Sequence, residues 1–238
     1  MQAVYDVFDA RVQEIELYFE AMQELDTGSI NHEAEEHYFN DEFIKILKAN
    51  TLLMIYNLVE STVMGGILEI YDKLRQEGMT YSSVRKEIQD IWFTYKFNQV
   101  YDPNSHFNSY KSKALEIVNS ILLGEVIELD RHATAISGNL DAQQIRNVCN
   151  EHGINFQVDE ESHGGTVLET VKERRNDLAH GTLSFAECGR DYSIDDLKKI
   201  KRETVLFLKG LLAGMKQYYD EQQYKMIQAS IPGNQVKA

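Results

Sequence analysis

The stretch TLLMIYNLVESTVMGGIL, residues 51–68, is the longest apolar run in the chain, and its reading decides the fold. Asn57 and Glu60 interrupt it and Gly65-Gly66 lies near its end, which suits a helix buried in a protein core and not a membrane span. Working outward, Phe43, Leu47, Leu53, Ile55, Leu58 and Ile67 continue a helical pattern from about Asp41 to Arg75, and Gly78 is placed to stop it. Upstream, Val4, Phe8, Val12, Ile15, Phe19, Met22 and Leu25 recur in steps of three and four, the stripe of a second long helix. Pro103 and Pro232 are the only prolines in 238 residues, so little interrupts helix elsewhere.

Downstream, the spacing predicts helices over about 82–97 (Val84, Ile88, Ile91, Trp92, Tyr95) and 109–128 (Leu115, Val118, Ile121, Leu122). A turn cluster, Asp102-Pro103-Asn104-Ser105, separates them. Asp141 with Gln144, and Thr166 with Glu169, have capping-box spacing and open two shorter helices that end at Gly153 and Gly181. Asp159–Gly165, with two glycines, reads as flexible, Gly164-Gly165 being a hinge. Ser193 and Asp196 open a last long helix to about Tyr224. The expected fold is an all-α bundle of long antiparallel helices forming one domain over 1–225. An acidic helix and loop occupy 1–40, a motif-bearing part 137–225, and a flexible tail 226–238.

With 24 Lys+Arg against 38 Asp+Glu the net charge is −14, which excludes a generic nucleic-acid coat protein. A hydrophobic content of 43% excludes an acidic disordered chain. The charge is uneven: residues 1–45 hold twelve acids and two bases, whereas residues 171–210 hold nine bases and seven acids. Cys149 and Cys188 are too few for a disulfide framework and read as free thiols in a reducing cytoplasm. The N-terminal residues carry no secretory pattern, and no membrane association is expected.

One segment speaks of chemistry: Lys172-Glu173-Arg174-Arg175-Asn176-Asp177-Leu178-Ala179-His180-Gly181. Arg175 offers a permanently charged planar fork that matches phosphate, and His180 an imidazole that exchanges protons near neutrality. Together they suffice to break an RNA phosphodiester, the histidine moving the 2′-OH proton and the arginine stabilising charge on phosphorus oxygens. Neither metal nor cofactor is called for. Residues five apart lie about 140° apart around an ideal helix. Convergence therefore needs the reach of the arginine, an unwound last turn or a twofold dimer. Spacing alone leaves a structural reading open, with His180 packing the helix end and Arg175 in an ion pair.

Arg175-Asn176-Asp177-Leu178-Ala179-His180 resembles the Arg-x4-6-His signature of the HEPN superfamily, whose all-α domains include many metal-independent ribonucleases. Ser137-Gly138-Asn139-Leu140-Asp141-Ala142, the motif helix, and Ser184-Phe185 through Gly189-Arg190 are similar to the MAE-type bacterial members. The resemblance implies a homodimer with a composite cleft that cuts RNA to a 2′,3′-cyclic phosphate and a 5′-hydroxyl. Arg175 would hold the scissile phosphate and His180 act as base or acid. It further implies a toxin or antiviral effector paired with an antitoxin or sensor. Thr182 stands where some HEPN toxins carry a modifiable tyrosine, so silencing by that route is not expected.

Around this pair, Asn176 and Asp177 are expected to support the site and Lys172 and Arg174 to hold substrate. Glu60 is expected to orient Arg175 or His180 across the bundle. His32, Glu33, Glu36 and His37 have helical spacing but read as an acidic solvated surface, with no metal site. His152 and His163 flank turns and read as exposed. Lys198, Lys199, Lys201 and Arg202 form a basic run that suits either RNA backbone or solvent. Two alternatives stand beside the ribonuclease: a non-catalytic HEPN module binding a nucleotide or protein, and a purely structural helical adaptor.

Overall fold

A computed structural model describes residues 1–28, 41–98, 107–134, 136 and 138–226. The turn cluster at 102–105, Ser137, the acidic His32–His37 stretch and the tail after Met226 lie outside these. Among the described residues eight α-helices form: α1 Gln2–Gly28, α2 Asp41–Gln76, α3 Lys86–Asn98, α4 Phe107–Leu122, α5 Ala142–His152, α6 Val167–Ala179, α7 Phe185–Arg190 and α8 Ile194–Asp220. Among the described residues the only pairing of extended backbone is two isolated bridges, Thr80 to Val126 and Val84 to Lys225. The architecture is the all-α bundle that the periodicity predicts.

The helix α2 is the spine. Leu52, Ile55, Leu58, Val63, Ile67, Ile70 and Leu74 are fully enclosed, so the apolar run is buried in protein on several sides. Each such side chain contributes about 1.5–3 kcal/mol on burial, which outweighs the low helix propensity of the β-branched residues among them. α1 lies antiparallel to α2: Tyr18 donates from its hydroxyl to Leu47 O, and Val4 sits against Gly65 at the other end. α8 runs parallel to α2, with Met215 over Gly66 and Lys73 over the Tyr219 ring. The short helix α7, opened by a capping box between Ser184 and Glu187, presses its backbone onto α2. A Cβ on Gly189 would come within 1.8 Å of Lys45 O, so only glycine admits this contact.

Several expectations need correction. The predicted helix over 82–97 splits into a 3-10 turn (Tyr81–Ser83) and α3, because Val84 and Arg85 pair with the chain near Tyr224. α4 stops at Leu122 and not near Glu128, since Gly124 turns the chain at φ +64. The apolar stripe of α4 is only partly buried. Ile117 is enclosed, but Leu115, Val118 and Leu122 are 54%, 49% and 78% exposed, because among the described residues α4 packs mainly against α3. Thr166 and Glu169 form no capping box, as Thr166 is itself helical and continues a 3-10 segment, Glu160–Gly165. That segment is not a loose hinge: Ser162 and Gly165 are buried against α8. His152 is 1% exposed, whereas His163 does face solvent. Both cysteines are buried free thiols, and burial pushes that of Cys149 up to about 12.

Candidate functional site

The motif helix α6 is laid across α2 by Leu168, Val171 and Leu178, all buried, and this fixes which residues of Lys172–His180 face inward. Arg175 points at α2. Its guanidinium stacks over the Tyr56 ring, 4.9 Å from the centroid, a cation–π contact with a tyrosine only 1% exposed. Its Nη1 donates to Gly138 O at 3.1 Å and to Asn176 Oδ1 at 2.9 Å. Asn176 in turn donates through Nδ2 to Asn139 Oδ1 at 2.7 Å, and Leu140 N–H donates to the Tyr56 hydroxyl at 3.1 Å. The 138–140 loop is thus fastened to α2 and α6 through one arginine, one asparagine and one tyrosine. Burial raises the Tyr56 pKa, the Leu140 bond lowers it, and the field of Glu60 raises it again.

Arg175 uses only one amino nitrogen in this network. Nη2 and Nε donate to no group among the described residues, which leaves the bidentate edge of the guanidinium unengaged.

His180 lies one turn further on and does not join that network. It caps α6 with φ −91, its backbone N–H bonded to Asn176 O at 2.9 Å. Gly181 follows at φ +68, a left-handed position where a side chain would be strained. Gly181 N–H then reaches Leu178 O and Thr182 N–H reaches Asp177 O, closing the helix. The imidazole is exposed and has no hydrogen bond or ion pair among the described residues.

The other expected site residues are placed as follows. Lys172 is bound to Asp141 at 2.7 Å, and Arg174 to Asp177 at 3.0 Å and to the Tyr192 hydroxyl at 3.3 Å. Burial works against ionisation of Asp141, but hydrogen bonds from Lys172 and the Gln144 N–H hold its carboxyl below the ordinary range. In this structure, therefore, Lys172 and Arg174 bind the protein itself, and Asp177 serves Arg174. Glu60 is half-buried and makes no hydrogen bond or ion pair with Arg175 or His180 among the described residues. Tyr56, one turn earlier on α2, takes the place foreseen for it. Tyr56 and the Gly138–Leu140 backbone are the partners that sequence reasoning missed. The glycine before Asn139 was the available signal, since a Cβ there would lie 3.1 Å from Arg175 Nη2.

Comparison with protein families adds an independent observation. A family model described as MAE-like HEPN matches residues 2–224. The chain belongs to the HEPN superfamily. Comparison with curated proteins and with solved structures returned no significant match. The HEPN match covers the eight helices of the described residues, the acidic α1 included. Arg175 and His180 lie at the C-terminal end of α6, the arginine half-buried against α2 and the histidine exposed.

Proposed function

We propose that this HEPN protein is a metal-independent endoribonuclease. The observation that carries the reading is the division of labour at the end of α6. Arg175 is anchored through Nη1 and stacked on Tyr56, yet keeps its Nε–Nη2 edge for an incoming group, and His180 stands free in solvent five residues on. A planar edge with two parallel N–H donors suits two oxygens of a phosphodiester. His180 takes the proton from the ribose 2′-OH as that oxygen attacks phosphorus. The P–O5′ bond breaks, leaving a 2′,3′-cyclic phosphate, and the departing 5′ oxygen gains a proton to become a hydroxyl. Arg175 stabilises the charge that builds on the non-bridging oxygens.

The approximately 140° between the two residues on an ideal helix favours a homodimer that juxtaposes two α6 ends. An RNA-cutting activity of this kind suits a cytoplasmic toxin or antiviral effector held in check by an antitoxin or sensor. The decisive experiment is incubation of purified protein with RNA in EDTA beside His180→Ala. Cleavage by the wild type to 5′-hydroxyl products, and loss of at least 100-fold in the variant, is expected. Equal, intact RNA in both would remove the catalytic reading.

A second reading draws on the same arginine. Because Arg175 already holds Gly138 O and Asn176, a non-catalytic module that binds a nucleotide or a protein with this edge is also served by the geometry. It predicts saturable binding without turnover, lost on substitution of Arg175 and indifferent to His180.

A further inference from the structure

The opposite end of α6 carries a second histidine with a different setting. The 3-10 segment Glu160–Gly165 is pinned to the bundle at each step. Asp159 accepts from Glu161 N–H at 2.8 Å, and Ser162, fully buried, donates to Asp159 O at 2.6 Å. Arg146 donates to Gly164 O at 2.8 Å, and Gly165 lies so close to Phe207 that a Cβ would meet its ring at 2.5 Å. Between these anchors His163 adopts φ 48, ψ 38, a left-handed conformation that side chains seldom occupy. Strain of this kind persists only where the surroundings impose it, and it concentrates at functional positions.

The conformation aims His163 Nδ1 at Glu203 Oε1, 3.3 Å away, while 64% of the imidazole side chain stays exposed. The Glu203 side chain is only 10% exposed, and a carboxylate so enclosed needs a partner. Lys199 is its second, at 3.9 Å. A carboxylate behind one ring nitrogen fixes the orientation of a histidine and leaves the other nitrogen for a ligand. The ring lines a cavity of about 540 Å³ shared by Glu161, Lys198, Lys199, Arg202 and Glu203. Three cations face two carboxylates there. Arg202 is held by Glu161, whereas Lys198 has no hydrogen bond or ion pair among the described residues.

We propose that this cavity is a second site, which binds a phosphate group through the imidazolium form of His163, whose Nδ1–H donates to Glu203 and whose Nε2–H donates to the phosphate, and through the ammonium groups of Lys198 and Lys199. Glu203 orients His163, and Arg202, fixed by Glu161, closes one side. A phosphate offers three acceptor oxygens, one for each of the three donors, where a carboxylate offers two. The site does not depend on the ribonuclease reading, since it uses neither Arg175 nor His180.

Calorimetric titration with inorganic pyrophosphate tests it. One equivalent should bind the wild type. Binding should weaken tenfold or more in His163→Asn, which tolerates the left-handed backbone, and in the Lys198→Ala, Lys199→Ala double variant. His180→Ala should bind as the wild type does, so failure of the cleavage reading and failure of this one are separable. Two RNA oligonucleotides of one sequence, with a 5′-phosphate or a 5′-hydroxyl, then identify the source in the non-cleaving His180→Ala background. A His163-dependent preference for the phosphorylated one assigns the site to RNA ends, and pyrophosphate binding alone assigns it to a small phosphorylated ligand. No binding of any probe, or binding that both sets of variants leave unchanged, overturns the proposal.

Discussion

The helices α5 and α6 end in the same way but leave their histidines in opposite settings. Each closes on a His-Gly pair, His152-Gly153 and His180-Gly181, with the glycine left-handed at φ 71 and φ 68. Each makes the same two closing bonds, Gly153 to Asn150 O with Ile154 to Cys149 O, and Gly181 to Leu178 O with Thr182 to Asp177 O. Yet His152 is walled in. Its Nδ1–H donates to Val148 O and its Nε2 accepts from the Tyr71 hydroxyl, both at 2.7 Å, and Tyr218 donates to its carbonyl. His180 has none of this. One ring is a buried structural part and the other stands open to solvent. The difference lies one residue past the glycine: Ile154, 1% exposed, is buried with Cys149 in the core, while Thr182 is polar and exposed and leaves the end open.

The contrast breaks first under substitution of the histidines themselves. His180→Ala is expected to lower RNA cleavage by about 10²–10⁴-fold while leaving the urea midpoint within about 0.5 kcal/mol of wild type. His152→Ala should do the reverse. It opens a cavity and strands the Tyr71 hydroxyl, so urea unfolding should show a loss of about 3–4 kcal/mol with cleavage per folded molecule retained. If His152→Ala were harmless to stability, the buried role would be wrong.

Acid provides a smaller, graded version of the same test. Burial pushes the His152 pKa down to about 4, against 6.5 in an unfolded chain. Between those values the unfolded state holds more protons, so this contribution to stability is complete above pH 6.5 and is lost as the pH falls toward 4. About 2 kcal/mol should disappear between pH 7.5 and pH 5, and the difference between wild type and His152→Ala should shrink by that amount. Denaturant midpoints measured at several pH values check it.

The smallest effect separates the two glycines. Gly181→Ala meets nothing within 4 Å and pays only the left-handed backbone, about 1 kcal/mol. Gly153→Ala carries the same strain and also drives a methyl to within 2.3 Å of the Arg85 guanidinium, which donates to Gly153 O. It should lose about 2 kcal/mol. Equal losses in thermal or chemical unfolding would mean that Arg85 moves aside freely.

Much of this molecule could be read from residue spacing. The stripes of α1 and α2 place Phe8, Ile15, Ile55, Leu58 and Ile67 in the core because helices of that length need one continuous buried face. Spacing did not decide burial in α4, where Leu115, Val118 and Leu122 have helical spacing but stay exposed, the helix packing mainly against α3 among the described residues. Periodicity says which residues share a face; whether a neighbour covers that face depends on the rest of the chain. The Arg175–His180 pair stands out in the sequence because arginine supplies a planar fork for phosphate and histidine a proton carrier near neutrality. That Lys172 and Arg174 are held by Asp141 and Asp177 was not legible there, since Asp141 lies 31 residues from Lys172.

By itself the sequence determined that the chain is helical, the stops of α5 and α6 at Gly153 and Gly181, and the residue types at the end of α6, because these follow from local backbone preferences and from apolar spacing within a few turns. Only the tertiary structure decided that Tyr56, 119 positions before Arg175, supports its guanidinium, that Tyr71 encloses His152, and that His180 is left open. Those outcomes depend on which distant surfaces come together and exclude water, and no local pattern contains that information.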